Sequence, residues 1–282
     1  MSSLNAVYIL RIDCPDEKGL VHKITGVLYH NGLNVIRNDE FVDRVTGHFF
    51  MRTEFSGDAL PEKILNGLRG LLPNEVNISL TTTQTKNVVM LVTKEHHCLS
   101  DLLIRNAFQD LNMNILAVVS NHETLRPLTE KFELPFHFIP HENKSRQVHE
   151  TEVLSIIQSY HPDYLVLAKY MRVLTPDFTA HFPSQMINIH HSFLPAFVGA
   201  NPYRQAFERG VKIIGATAHF VNENLDEGPI IMQDVIRVNH SQTATEMAQA
   251  GRDVEKIVLA KALKLVFEDR VFIKDNKTII FE

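Results

Sequence analysis

The stretch "NVVMLVT", residues 87–93, is apolar at five consecutive positions after its first residue, with no polar alternation. A strand of that kind is buried on both faces, as in a parallel sheet covered by helices. Outward from it the pattern repeats. A helix is predicted from about Leu99 to Asp110, then strands at "NILAVVS" (114–120) and "FHFIP" (136–140). A helix from about Arg146 to Tyr160 leads into "DYLVLA" (163–168), and "MINIHHS" (186–192) follows. "GVKIIGATAHFV" (210–221) is a strand carrying Thr217 and His219, "NENLDEGPII" (222–231) a loop, and "IIMQDVIRV" (230–238) a strand. A long helix from about Thr243 to Glu268 and a hairpin, "VFIKDNKTIIF" (271–281), close the chain. Strands alternating with helices indicate an α/β fold with a doubly wound, mostly parallel sheet. In such sheets ligands bind beyond the carboxyl ends of the strands.

Upstream, "TTTQTK" (81–86) interrupts the pattern with six polar residues and reads as a linker, dividing a region 1–82 from a region 83–282. In the first region "AVYILRI" reads as a strand and "CPDEKGL" as a turn that opens a helix. Val21, Ile24 and Leu28 share a helical face that ends at Asn31-Gly32, a C-cap signal. "LNVIRNDEFV" and "GHFFMRTEF" are strands joined by a turn at Asp43–Gly47. A helix around Pro61–Leu71 then precedes the strand "EVNISLT". The order βαββαβ is that of a ferredoxin-like α+β domain, two helices on one face of an antiparallel sheet.

The 282 residues are 44% hydrophobic and 22% charged, with a formal net charge of -5, as in an ordinary globular protein of two domains. No long basic block occurs, which speaks against nucleic acid and anionic membrane as partners. Cys14 and Cys98 are far apart, so a disulfide framework and a zinc ribbon are excluded. The N-terminal apolar run stops at Arg11, too short for a signal peptide, and no segment approaches a membrane span. The expectation is a cytoplasmic protein.

"MINIHHSFLP" (186–195) brings polar residues to the end of an apolar strand. Asn188 and His190 are two apart and project to one side, with His191 pointing to the other. An amide and an imidazole side by side can donate hydrogen bonds to an oxyanion. Asp226, in a loop where Gly228 lets the backbone approach closely, can support the histidine and position a water. Each has a plainer reading: a strand-end amide, one of 15 structural or solvated histidines, a turn aspartate before glycine. Taken singly, the plainer reading wins. No HExxH, GxSxG, GxGxxG or GxxxxGK[ST] is present, and adjacent histidines pointing apart suit no single metal ion, so no metal site is expected.

Together, "INIHHSFLPAFVGANPYRQAFERGVKIIGATAHFVNENLDEGPIIMQDV" and, upstream, "PDYLVLAKYMRVLTP" closely resemble the formyltetrahydrofolate hydrolase/transformylase catalytic domain. The hallmark is N-x-H, then S-x-L-P, then an aspartate in an L-D-x-G-P loop. The resemblance covers about Lys86 to Glu282 and implies that Asn188, His190 and Asp226 are catalytic. It also implies that Met171, Arg172, Val173 and Leu174 contact folate, with His219, Thr217 and Gly228 at the substrate pocket. "CPDEKGLVHKITGVLYHNGLNV" resembles an ACT domain, an amino-acid-sensing fold, with Asp16, Gly19 and Gly32 as candidates for a regulatory ligand.

This layout, and the double histidine of "NIHHS", are those of the formyltetrahydrofolate deformylases. The resemblance then implies hydrolysis of 10-formyltetrahydrofolate to tetrahydrofolate and formate, with no tightly bound cofactor. It implies an amino-acid effector and, because ACT-like sheets pair across chains, a homo-dimer or homo-tetramer. Where the transformylase has a glycine- and serine-rich phosphate loop, this chain has "VTKEHHCLSD" (92–101), without glycine and with Glu95. That departure favours water over a phosphorylated amine. The alternatives are formyl transfer to an unidentified amine, and a non-catalytic folate or amino-acid sensor.

Overall fold

A computed structural model describes residues 6–196 and 202–282; residues 1–5 and 197–201, the latter within the quoted motif, lie outside the described residues. The chain forms two compact units. One comprises the chain up to Gln84 with Glu268–Phe272 and Phe281–Glu282; the other comprises Thr85–Phe267 and Ile273–Ile280.

The first unit runs β1 (Val7–Pro15), α1 (Leu20–His30), β2 (Asn34–Asp43), β3 (His48–Ser56), α2 (Pro61–Arg69) and β4 (Asn77–Thr82). Its antiparallel sheet has the order β2-β3-β1-β4, the ferredoxin-like arrangement. Leu10, Ile12 and Cys14 alternate along β1 and meet Leu20, Ile24, Val27 and Leu28 of α1 in the core. Val21 is 38% exposed, because it lies one helical step, ~100°, from Leu20 at the margin of the buried stripe. The other sheet face is also used: Arg52, 1% exposed, donates to the carbonyls of Glu268 and Asp269 and pairs with Glu54. The expected linker is shorter than its composition suggested. Thr81 and Thr82 pair with Ile9 and Tyr8 in β4, and Lys86 opens the next strand.

The second unit contains β5 (Lys86–Val92), α3 (His97–Ala107), β6 (Met113–Ser120), α4 (Arg126–Glu130), β7 (Phe136–Phe138), α5 (Arg146–Tyr160), β8 (Tyr164–Leu167) and α6 (Pro176–Thr179). It continues with β9 (Met186–His190), α7 (Pro202–Glu208), β10 (Ile213–Phe220), β11 (Ile230–Arg237) and α8 (Ala244–Phe267); the hairpin β12 (Val271–Lys274) and β13 (Lys277–Ile280) follows, with Val271 and Phe272 belonging to the first unit. The seven-stranded sheet has the order β11-β10-β9-β8-β5-β6-β7. Its β7, β6, β5, β8 and β9 are mutually parallel, and β10 and β11 add antiparallel. The chain winds outward from β5 to β7 and returns to β8 on β5's other side, so β5 and β8 flank the switch in winding direction. A crevice opens at the carboxyl ends of such a pair. Met171 N–H donates to Thr93 Oγ1 (3.0 Å) across that point, tying the loop after β8 to the loop after β5. Among the described residues no helix is long and apolar enough to cross a membrane.

Candidate active site

β9 is fully buried at Met186 and Ile187, then delivers Asn188 and His190 to the crevice. β10 pairs antiparallel with it, placing His219 opposite Asn188 and Thr217 opposite His190. The loop between β10 and β11 brings back Asp226, whose φ of 58° is a left-handed conformation that aspartate tolerates better than most residues. Gly228 makes the return possible: a Cβ there would lie 1.8 Å from the Phe220 carbonyl oxygen.

Asp226 Oδ2 lies 3.3 Å from His190 Nδ1, and Oδ1 lies 3.7 Å from His219 Nε2. Burial pushes the Asp226 carboxyl up, but the hydrogen bond and charge of His190, with His219 beside it, outweigh that and hold the group well below the usual carboxylate range. His219 Nδ1 donates to the Phe220 carbonyl (2.8 Å), which leaves Nε2 to accept from Asn188 Nδ2 at 3.2 Å. One Asn188 N–H therefore orients the amide and the other remains for a ligand. His190 is 6% exposed and its Nε2 has no hydrogen-bond partner. A buried polar atom left unpaired costs about 1–3 kcal/mol, so this nitrogen is placed for something that binds.

These groups face a cavity of ≈ 300 Å³ that is also lined by Met171, Arg172, Val173, Leu174 and the 221–225 loop segment. Met171, Val173 and Leu225 are 57%, 43% and 58% exposed, an apolar rim suited to a flat, partly aromatic ligand. Thr217 and Gly228 are not in the lining. Thr217 is fully buried, donates to Ser192 O (2.9 Å) and accepts from Leu194 N–H (3.0 Å), so it shapes the turn after β9. In the first unit, Gly19 (φ 91°) precedes α1 next to the exposed Asp16 turn, whereas Gly32 (φ 70°) lies past the helix's other end. These three do not come together around one ligand within a chain.

Two neighbours were not anticipated. His191 was expected to point away from His190, but β9 ends at His190, the alternation lapses, and the two rings stack at 5.0 Å. His191 lines the same cavity, and burial, with Lys169 and His190 nearby, pushes its imidazole down to about 4. Lys169 also lines the cavity, and it pairs with Glu255 of α8 at 3.1 Å. The signal for Glu255 was present in the sequence: a glutamate on the apolar stripe of a helix, among Gly251, Val254, Val258 and Leu259.

The Formyl transferase family model matches residues 86–263, and the ACT domain model matches residues 8–72. A formyltetrahydrofolate deformylase of Haemophilus influenzae is 55% identical over 272 residues, covering 96% of this chain and 98% of that one. The crystal structure of a formyltetrahydrofolate deformylase from Pseudomonas syringae superposes with a TM-score of 0.94 at 40% identity, over 100% of this chain and 96% of that one. A glycinamide ribonucleotide transformylase from Symbiobacterium toebii matches 73% of this chain and 98% of its own, with a TM-score of 0.68 and 26% identity.

Proposed function

Since this chain belongs to the formyltetrahydrofolate deformylase family and hydrolyses 10-formyltetrahydrofolate to tetrahydrofolate and formate, we propose that Asn188, His190 and Asp226 carry that reaction. The observation that carries the assignment is the buried, unpartnered His190 Nε2, held at its other nitrogen by Asp226 and flanked by the Asn188 amide. A formyl oxygen between Asn188 Nδ2 and His190 Nε2 accepts from both as it becomes an oxyanion, and Asp226 stabilises the positive charge then carried by the imidazole. Asp226, 3.3 Å from His190 Nδ1, orients the histidine, and this pair carries the water's proton away as the water attacks. The water oxygen bonds to the formyl carbon, the bond to N10 breaks, and N10 takes the proton through the solvent-linked pair. Formic acid then ionises.

Met171–Leu174 and the 221–225 segment form the pterin's surroundings in this reading, with His219 orienting Asn188. Thr217 and Gly228 act one step away, through the backbone they position. No resident cofactor is called for, because the amide and imidazole supply the oxyanion donors. An amino-acid effector at the first unit belongs to this reading, with Asp16, Gly19 and Gly32 as its candidates, and the left-handed Gly19 beside the exposed Asp16 supports it. A homo-dimer or homo-tetramer is supported by β2, an edge strand of ten residues on which Ile36 is 53% and Phe41 46% exposed. A cytoplasmic location is supported by two buried, free cysteines, which suit a reducing compartment. The test is formate release from 10-formyltetrahydrofolate with no amine present. Production of tetrahydrofolate only when an amine is added would make the chain a transferase.

A further inference from the structure

Behind His191 lies a second polar cluster that hydrolysis as described does not use. His191 packs against Tyr203, ring centroids 6.2 Å apart, and the Tyr203 hydroxyl donates to Glu255 Oε1 at 2.6 Å. Glu255 Oε2 takes His97 Nε2 at 2.8 Å and Lys169 Nζ at 3.1 Å. Glu255 is fully buried and Lys169 is 7% exposed. From His190 the wall therefore runs through His191, Tyr203, Glu255 and Lys169 by direct contact. Of these, His190, His191 and Lys169 line the cavity, and Tyr203 and Glu255 lie behind them.

Two details mark this wall as built. Lys169 has φ 65°, a left-handed backbone that glycine adopts freely and a lysine adopts only against steric resistance. On α8, a Cβ at Gly251 would lie 2.2 Å from the Tyr203 hydroxyl oxygen, so the missing side chain is what lets the tyrosine lie on the helix and reach Glu255 one turn on. Tyr203, His97 and Lys169 thus converge on one carboxylate, and Lys169 also lines the cavity.

We propose that Lys169, held by Glu255, determines acceptor specificity: it fills and charges the side of the cavity through which an amine would reach the formyl carbon, leaving room for water alone. The inference rests on the hydrolase reading above. A primary amine arrives mostly as an ammonium ion, which a fixed cation repels, and its carbon skeleton needs the volume that the lysine stem occupies. Water meets neither obstacle. In the transfer that this wall suppresses, the amine nitrogen would bond to the formyl carbon, the bond to N10 would break, and a proton would pass from the amine to N10.

The experiment measures a product ratio. Wild-type enzyme and the double variant Lys169→Gly/Glu255→Gln are supplied with 10-formyltetrahydrofolate and glycinamide, and N-formylglycinamide is measured against formate. The double variant opens the space, suits the backbone and strands neither charge. The ratio is expected to rise about tenfold or more, and to stay at the wild-type value in Lys169→Arg, which keeps bulk and charge. Because it compares two products of the same folded enzyme, the ratio does not depend on how much of the variant folds. An unchanged ratio in the double variant, or an equal rise in Lys169→Arg, overturns the inference. Absence of formate from the wild type without amine would instead overturn the hydrolase reading.

Discussion

The second unit holds two buried carboxylate–histidine pairs, Asp226 with His190 and Glu255 with His97, and they have different ends. Glu255 is saturated: both oxygens are taken, by Tyr203 and by His97 and Lys169, and none of its surface is exposed. Asp226 is 14% exposed, lines the cavity, and its partner His190 keeps Nε2 free toward that cavity. Both carboxyls lie below their usual range, so a depressed pKa does not separate a reacting pair from a structural one. What separates them is whether the hydrogen-bonding capacity is used up inside the protein or left facing a space a substrate can enter.

The sharpest contrast comes from neutralising each carboxylate. Asp226→Asn is nearly isosteric and should lower turnover by about 10²–10⁴-fold, the range for loss of acid–base function, with folate affinity changed little. Glu255→Gln should do the reverse. It strands Lys169 without its counter-charge, and breaking a buried pair costs roughly 3–5 kcal/mol of stability. Steady-state kinetics, tetrahydrofolate binding and thermal unfolding on both variants decide the matter. If Asp226→Asn turns over like wild type, the pair is only a loop anchor and the comparison collapses.

Acid should distinguish the same groups by pH window. His191 is held down to about 4 from 6.5, so below pH 6.5 the unfolded chain binds a proton that the folded one refuses, and stability falls from there toward pH 4. Glu255 is held down to about 2 from 4.5, the net result of burial opposing the stronger pull of His97 and Lys169. Its contribution is complete above pH 4.5 and is lost as the pH drops toward 2. Unfolding free energy measured by denaturant titration should therefore decline in two overlapping stages, each worth a few kcal/mol at about 1.4 kcal/mol per pKa unit. His191→Asn should flatten the upper stage and Glu255→Gln the lower. A slope that neither substitution alters would place the acid sensitivity elsewhere.

How far the sequence could be read follows from the range of the interactions. α5 spans Arg146–Tyr160 as expected, because its boundary signals are local: Ser145 caps it through Val148 N–H, and His161 leaves it at φ 47°. Asn188, His190 and Asp226 stand out through the family motif that joins them, because taken singly a strand-end amide, a histidine and a turn aspartate all have plainer uses. Thr81 and Thr82 read as linker by composition, because polar threonines suit an edge strand as well as a loop, and only their pairing with β1 decides. The stacking of His191 on His190 depends on where β9 stops, a matter of one residue that alternation cannot fix. Lys169 lies in the quoted folate-contacting segment, but its ion pair is not legible there: neither its backbone angle nor its partner 86 positions later leaves a trace in local composition.

Thr217 tests the comparison at its smallest scale, since the family motif puts it at the pocket and the geometry puts it among saturated groups. Its hydroxyl donates to Ser192 O and accepts from Leu194 N–H and from Gln233 Nε2 at 2.9 Å. Thr217→Val keeps the shape and removes all three bonds, leaving a buried N–H and a carbonyl without this partner. A loss of about 1–3 kcal/mol in stability is expected. Because the hydroxyl never reaches the cavity, kcat should change by no more than a few-fold, through slight movement of the turn that follows His190. Denaturant titration and steady-state kinetics on the one variant read both quantities. A fall in turnover comparable to that of Asp226→Asn, with stability intact, would move Thr217 from the saturated class to the reacting one. It would also show that an unfilled hydrogen bond in the free enzyme is not the mark of a working residue at this site.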